Sequence, residues 1–448
     1  MHRPGRLRRL HRPLTVVLLG IVGLSVIPLG SNRPFFWAFW SAIIGLAGLI
    51  YVVSLAMMRS QAYTSLRSVK LLSAAYGIIC LTLIAQLLPL GSLYWNGGLG
   101  SGGTLLPTPP FISTTPGDTF LMLLRWFSFG MLFYLSLQVA SNAPRRLLML
   151  QTLLAVMAGH AVLAILSYYQ WGNTLLGAEK WTYIDSITGT FVNRNSFATF
   201  MALGLTITAA MTLHALENRR GVHLLTALAT YALYAIFIIG ALLGSNSRMG
   251  LVVAIVGALT VMICHVAGRQ KSSLRMIIGA VFVALLIGAT AYTYQTGVWL
   301  RFLELESSGT LRLRLYAQVW DMIQAAPFLG YGGGSFAQGF QLFHDPALNV
   351  ELVWDRAHNT YLTLWSELGL VVGSLPILLV ALISFFSLRA MRRSASADPA
   401  LTVWIGCAVV AALHSLVDFS FEMYATALTF TMLGALAMAS ALERKNRA

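Results

Sequence analysis

Phe35-Phe-Trp-Ala-Phe-Trp-Ser-Ala-Ile-Ile-Gly-Leu-Ala-Gly-Leu-Ile-Tyr-Val-Val-Ser-Leu-Ala-Met57 runs for 23 residues without a charged side chain. At about 1.5 Å per residue a helix of that length rises roughly 34 Å, enough to cross the ~30 Å hydrocarbon core of a bilayer. Similar runs recur along the chain, and spans are expected near 13–30, 35–57, 69–91, 119–141, 146–169, 196–216, 225–243, 248–266, 275–297, 358–387, 401–417 and 419–441. The first is read as a span and not a cleaved leader, because no small-residue cleavage site follows it and the next span begins at once. Composition agrees: 57% of residues are hydrophobic and 10% charged, against roughly 45–50% and 25% in a soluble domain. The fold class is therefore all-α integral membrane, with about 12 transmembrane helices.

The net charge of +15 does not mark a nucleic-acid surface. Orientation follows the Lys and Arg content of short loops. With the N-terminus inside, twenty-one of the 30 basic residues fall on the inner side, among them Arg59, Arg67, Lys70, Arg145, Arg146, Arg219, Arg220, Arg389, Arg392 and Arg393. Eight lie outside, and Arg125 falls within a span. Both termini are expected in the cytoplasm of a bacterial inner-membrane protein. Cys80, Cys264 and Cys407 lie in spans, which argues against a disulfide framework or a thiolate metal cluster.

Three outward loops are long. Residues 92–118 read as a flexible Gly/Ser/Thr/Pro-rich loop. Residues 170–195 are aromatic and polar, and 298–357 form a large periplasmic loop. Within it 310–325 is predicted to be helical: Thr310 caps it, and Leu311, Leu315, Val319, Met322 and Ile323 make one apolar face, which suits a helix lying on the membrane surface. Pro327 stops it. Outward tryptophans (Trp37, Trp95, Trp171, Trp181, Trp299, Trp320, Trp354) are expected to form an interfacial belt. Stacking on sugar faces is the functional alternative.

Four outward clusters carry the residues suited to chemistry. They are Gly189-Thr-Phe-Val-Asn193-Arg194-Asn195, Ser245-Asn-Ser-Arg248, Arg312-Leu-Arg314 with Pro327-Phe-Leu-Gly-Tyr-Gly-Gly-Gly-Ser335, and Asp355-Arg356-Ala-His358-Asn359. Arg194 and Arg248 open spans at headgroup level, where guanidinium groups grip phosphate bidentately, whether of a substrate or of ordinary lipid. His358, at a helix entrance, is placed to accept a proton from a hydroxyl; a polar structural role is the alternative. The Gly330–Ser335 run lacks the Lys and the preceding strand of a phosphate loop and reads as a flexible turn. No metal-ligand spacing is present, so no metal or other cofactor is expected.

From about Gly189 to Asp418 these clusters, in this order and spacing, resemble the O-antigen ligase and O-antigen polymerase superfamily. Gly-Thr-Phe-x-Asn-x-Asn, Ser-x-Ser-Arg, Arg312 with Trp320 and Pro-Phe-Leu-Gly-x-Gly, Ala-His-Asn-Thr-Tyr-Leu and Glu367-Leu-Gly carry the likeness. It implies a membrane glycosyltransferase that moves a glycan from undecaprenyl pyrophosphate, without metal, to an acceptor glycan. That acceptor is the lipid A core in ligases and a lipid-linked repeat in polymerases. It implies His358 as the catalytic residue and Arg248 and Arg194 as pyrophosphate ligands, with Arg125, Arg312 and Arg314 in reserve. Asn193, Asn195, Arg356 and Asn359 would support them. Pro28-Leu-Gly-Ser-Asn-Arg-Pro34 is similar to exopolysaccharide polymerases and tips the reading that way. The implied organisation is an N-terminal transmembrane region, 1–188, a catalytic region, 189–418, and a final helix with a cytoplasmic tail, 419–448. Partners would be the lipid-linked donor, the acceptor glycan, membrane lipid and polysaccharide-assembly proteins. A twelve-span transporter or flippase is the competing class; it predicts internal repeats and midplane charge, whereas no repeat is visible here and charge within the spans is sparse (Arg125, Glu367, Glu422).

Overall fold

The computed structural model describes residues 4–95, 108–267, 305–345, 348, 354–393 and 398–447. The principal helices are α1 Pro4–Ser25, α2 Pro34–Met57, α3 Lys70–Gln86, α4 Pro116–Ala140, α5 Ala143–Tyr169, α6 Arg194–Asn218 and α7 Gly221–Gly244. They continue as α8 Arg248–Ala267, α9 Leu305–Ala325, α10 Phe336–Gln341, α11 Thr360–Leu368, α12 Leu375–Arg392, α13 Pro399–His414 and α14 Tyr424–Arg447. No strand occurs among the described residues.

Nine helical segments among the described residues are long and apolar enough to cross a membrane, so this is a multi-pass membrane protein. The expected first span is α1, which carries Arg8, Arg9 and Arg12 in its leading half and is not one of the nine; α13 is also apolar but only 16 residues long. The expected span 275–297, like Trp299, Arg301 and the loop tip 96–107, lies outside the described residues. The expected span 358–387 is broken. α11 ends at Gly369, whose φ of 77° is left-handed, and the crossing segment is Leu370–Arg392. A Cβ at Gly369 would stand 2.1 Å from the Phe328 carbonyl oxygen, so only glycine fits this corner.

Side-chain caps start several helices where the sequence changes from polar to apolar. Asn142 accepts from Arg145 N at 3.1 Å, and Asp398 from Ala400 N at 3.0 Å with Pro399 in the first turn. α6 is apolar around almost its whole circumference and is correspondingly central, packed by α7, α8 and α13. One large core runs from Leu14 to Ala439 and joins α1–α8 and α12–α14. At one end of the bundle Arg146, 2% exposed, draws three helices together. Its Nε donates to Asp398 Oδ2 at 2.8 Å and its Nη2 lies 3.0 Å from Glu443 Oε2.

At the other end sits a second, smaller core. Leu315, Val319, Met322 and Ile323 of α9 are fully buried against Tyr331, Phe336, Phe340 and Leu362. The apolar face foreseen for this helix is therefore real, but protein, not lipid, covers it. The helix also begins at Leu305, ahead of Thr310, so Thr310 is not its first residue.

Candidate functional site

Three of the four sequence clusters meet at the link between α13 and α14. Asn359 caps α11 by accepting from Tyr361 N (3.0 Å) and Leu362 N (3.2 Å), and its amide donates to Leu416 O at 3.0 Å. Thr360 N donates to Ser415 O (2.9 Å), and the Thr360 hydroxyl to Asp418 O (3.2 Å). From another side, Asn193 caps α6 by accepting from Asn195 N (2.7 Å) and Ser196 N (3.2 Å). Asn195 then donates to Asp418 Oδ1 at 3.2 Å and accepts from the Ser247 hydroxyl at 2.9 Å. Ser247 in turn accepts from Gly250 N at 3.2 Å, which caps α8 and sets Arg248 as its first residue. Ser420 donates to the second oxygen of Asp418. Asp418, 1% exposed, thus joins the entries of α6 and α8 to the segment that receives α11. Sequence spacing had not singled it out, because its partners are remote in the chain.

His358 stands at the edge of this hub with φ 51°, half-buried, its ring edge-on to Phe419 (5.0 Å) and Trp354 (6.1 Å). The Tyr316 hydroxyl lies 3.0 Å from its carbonyl oxygen and 3.2 Å from that of Leu416, which fastens α9 over the hub. Burial pushes the imidazole pKa below 6.5; Asp418 and Asp355 oppose that, and Arg312 and Arg356 reinforce it. The ring is therefore neutral at pH 7, the form that accepts a proton.

The arginines divide by surroundings. Arg312 is half-buried and its charge acts on Tyr183, Tyr316 and His358. Arg314 is exposed, about 200° round the same helix. Arg194, first residue of α6, is half-buried with its guanidinium 5.3 Å from the Tyr183 ring centre. It lines a cavity of about 270 Å³ with Asp185, Ser186 and Asn246. Arg248 is half-buried at the start of α8. Arg356 bonds Glu422 at 2.8 Å. Burial works against its charge, but Glu422 and Asp355 outweigh that and its pKa is raised. Arg125, 3% exposed, donates to the Glu422 carbonyl at 2.6 Å and is 4.5 Å from the Trp37 ring centre. It is enclosed by aromatic rings, with Phe129 and Tyr424 completing the enclosure.

The Gly330–Ser335 run is not a loose turn. Gln86, at the end of α3, donates to Leu329 O (2.6 Å) and Glu367 O (2.8 Å), and accepts from Gly333 N (3.0 Å). Thr119 donates to Gly333 O at 2.9 Å and Thr114 N to Tyr331 O at 2.9 Å. Gly332 has φ 111°, and a Cβ there would sit 2.3 Å from the Ser113 hydroxyl. The glycines allow close backbone approach, and the polar groups they bring inside are satisfied. Ser113, Thr114 and Gln86 also hold the described end of the 92–118 loop, since Ser113 N donates to Gln86 O at 2.9 Å. Among the described residues no three His, Cys, Asp or Glu side chains converge as metal ligands.

No curated protein matches the chain. A family model described as O-antigen ligase matches residues 233–377. That stretch takes in Arg248, Arg312, Arg314, Arg356, His358 and Asn359, whereas Arg125, Asn193, Arg194, Asn195 and Asp418 lie outside it. The match covers 145 of the 448 residues, and over that stretch the chain is similar to the O-antigen ligase family.

Proposed function

We propose that the protein is an inner-membrane glycosyltransferase, with its active face toward the periplasm, that moves a glycan from undecaprenyl pyrophosphate to an acceptor sugar hydroxyl. The observation that carries this reading is the convergence of the Asn193–Asn195, Ser247–Arg248 and His358–Asn359 segments on the α13–α14 link around Asp418. The acceptor oxygen attacks the anomeric carbon, the bond from that carbon to the pyrophosphate oxygen breaks, and undecaprenyl pyrophosphate leaves. The acceptor's proton passes to the neutral His358 ring. Arg248 and Arg194 bind the pyrophosphate and stabilise the charge that grows on it, the work that preorganised guanidinium groups do without a metal. Arg312 adds positive potential from α9. Arg356 and Arg125, engaged with Glu422, position the backbone beside the site, and Arg314 has the weakest claim because it faces away.

A lipid donor also needs somewhere to lay its tail. An apolar groove of about 540 Å³ starts at Thr360, Tyr361 and Ser415 beside the hub and continues between α3, α4 and α12 to Leu66 and Val69. Its walls include Tyr76, Trp126, Phe133 and Val380, which suit an isoprenoid chain.

Of the two acceptors we propose the lipid-linked repeat. The Pro28–Pro34 segment that leans toward polymerases packs on the first cluster: a Cβ on Gly30 would stand 2.6 Å from the Phe191 ring, and Thr190 donates to Val26 O at 2.7 Å. The test is protein reconstituted with purified lipid-linked repeat, with lipid A core supplied separately. His358→Ala should lose about 10²–10⁴ in turnover while donor binding persists. Arg248→Ala should lose donor binding, and Arg248→Lys should restore it only in part, since a point charge cannot reproduce the planar fork. Near wild-type turnover in His358→Ala would remove the proton-transfer role, and product formed only on lipid A core would make the enzyme a ligase.

A further inference from the structure

At the end of the bundle remote from His358, five cations from three helices and the turn before α3 ring one concavity. They are Arg67 and Lys70 at the start of α3, Arg389 and Arg393 at the end of α12, and Lys445 near the end of α14. All five side chains are exposed, and the cavity they line measures about 340 Å³. No carboxylate lines it. The nearest in sequence, Glu443, is turned to Arg146 at 3.0 Å. The tendency of Lys and Arg to flank membrane helices on one side accounts for cations at these helix ends. It does not account for their gathering about a hollow, where like charges repel unless an anion joins them.

Apart from Ser68, the rest of the wall is apolar, with Leu72, Phe386, Met438 and Ala441 among its residues. A free phosphate would leave those side chains unused, whereas a lipid places its phosphate among the cations and its acyl chains on the apolar wall. Val69 and Leu72 also belong to the long apolar groove, so the surface continues from the cations into the membrane interior.

We propose that this cavity is a binding site for an anionic phospholipid of the adjacent leaflet, and that five cations best fit a headgroup bearing two phosphates, as in cardiolipin. The cation ring is separate from the proposed pyrophosphate site, although its apolar wall shares Val69 and Leu72 with the groove proposed for the donor's tail, and the proposal does not depend on the glycosyltransferase reading.

The experiment is native mass spectrometry of the full-length protein in detergent, titrated with cardiolipin, phosphatidylglycerol, phosphatidylethanolamine or inorganic phosphate. Retention should follow the order cardiolipin, phosphatidylglycerol, phosphatidylethanolamine. Combining Lys70→Gln, Arg389→Gln and Arg393→Gln should weaken cardiolipin binding more than tenfold. The pair Arg219→Gln and Arg220→Gln, at the same end but away from the cavity, should leave it unchanged. Equal loss in both sets would mean diffuse charge attraction and would overturn the site, as would retention in the triple variant. Displacement of cardiolipin by millimolar inorganic phosphate would make it a free-phosphate site instead. Should the triple variant fold poorly, Arg389→Gln alone, at an exposed position, should cost about fivefold; no change there also counts against the proposal.

Discussion

At the scale of single residues, Asp418 is the most informative position. Its two oxygens accept from Asn195 and Ser420, while its carbonyl takes the Thr360 hydroxyl. Asp418→Asn keeps the shape and the carbonyl contact but sets an NH2 group against one of two donors. Losing one hydrogen bond to a charged group is worth about 1.5–3 kcal/mol. We expect turnover to fall about tenfold or more and the thermal midpoint to drop by several degrees. An unchanged rate would show that the hub can lose this joint. His358 gives a second prediction. Because its pKa lies below 6.5 in the folded protein, turnover should be flat above that pH and decline as the pH falls through the lowered value. Asp418→Asn should move that decline to lower pH still, since Asp418 now pulls the pKa upward. The linkage has the same sign: protonation favours the unfolded chain, so stability contributed by neutral His358 is present above 6.5 and is lost as the pH falls. A pH–rate profile for both proteins decides the point. The three clusters that meet at the α13–α14 link could be picked out because each is a short run of unlike polar residues at the mouth of an apolar one. Asp418, Glu422 and Gln86 were not, since the Asn195–Asp418 bond spans 223 residues and the Gly333–Gln86 bond 247, and spacing reveals only near neighbours.

At the scale of elements, hydropathy located the crossing helices well and their interruptions poorly. Ser366 and Glu367 stand just before Gly369, but polar residues alone do not announce a corner, and a left-handed φ leaves no hydropathic trace. Gly369→Ala should therefore be costly. Its Cβ would press on the Phe328 carbonyl, and α11 would have to shift to relieve it. A loss of about 2 kcal/mol or more is expected, measured as a lower thermal midpoint in detergent. A change below about 0.5 kcal/mol would mean the corner is optional. The α9 face shows the reverse situation. Periodicity identified which residues face inward, but it could not name what they face, and the partner is the packed Tyr331–Phe340 segment, not lipid.

At the scale of the whole molecule, the Lys and Arg distribution predicts that α9, α10 and His358 lie in the periplasm and the Arg146 end in the cytoplasm. Gln338 is exposed on α10, so Gln338→Cys should react with a membrane-impermeant thiol reagent on intact spheroplasts, in a background where the native cysteines are replaced. Ser335 is fully buried and would report nothing. Arg393→Cys, exposed at the opposite end, should react only after lysis. The reversed pattern would invert the map and place the site in the cytoplasm. That the two ends differ in character was readable from charge alone. The internal architecture, with α6 central and a large core beside smaller ones, depends on which helix faces meet, and nearly uniform apolar spans carry little signal about that.

The grip of Gln86 bears on how such a protein can be inherited. Its three hydrogen bonds tie a helix near the beginning of the chain to backbone at Leu329, Gly333 and Glu367. The stretch 233–377 is therefore no self-sufficient cassette. Recombination that joined it to a foreign N-terminal half would remove the Gln86 partner of the Leu329 carbonyl and of the Gly333 amide, while Glu367 O would keep only its bond from Gly332 N. Gene shuffling that keeps this joint would have to move both halves together, or find a second glutamine in the same place.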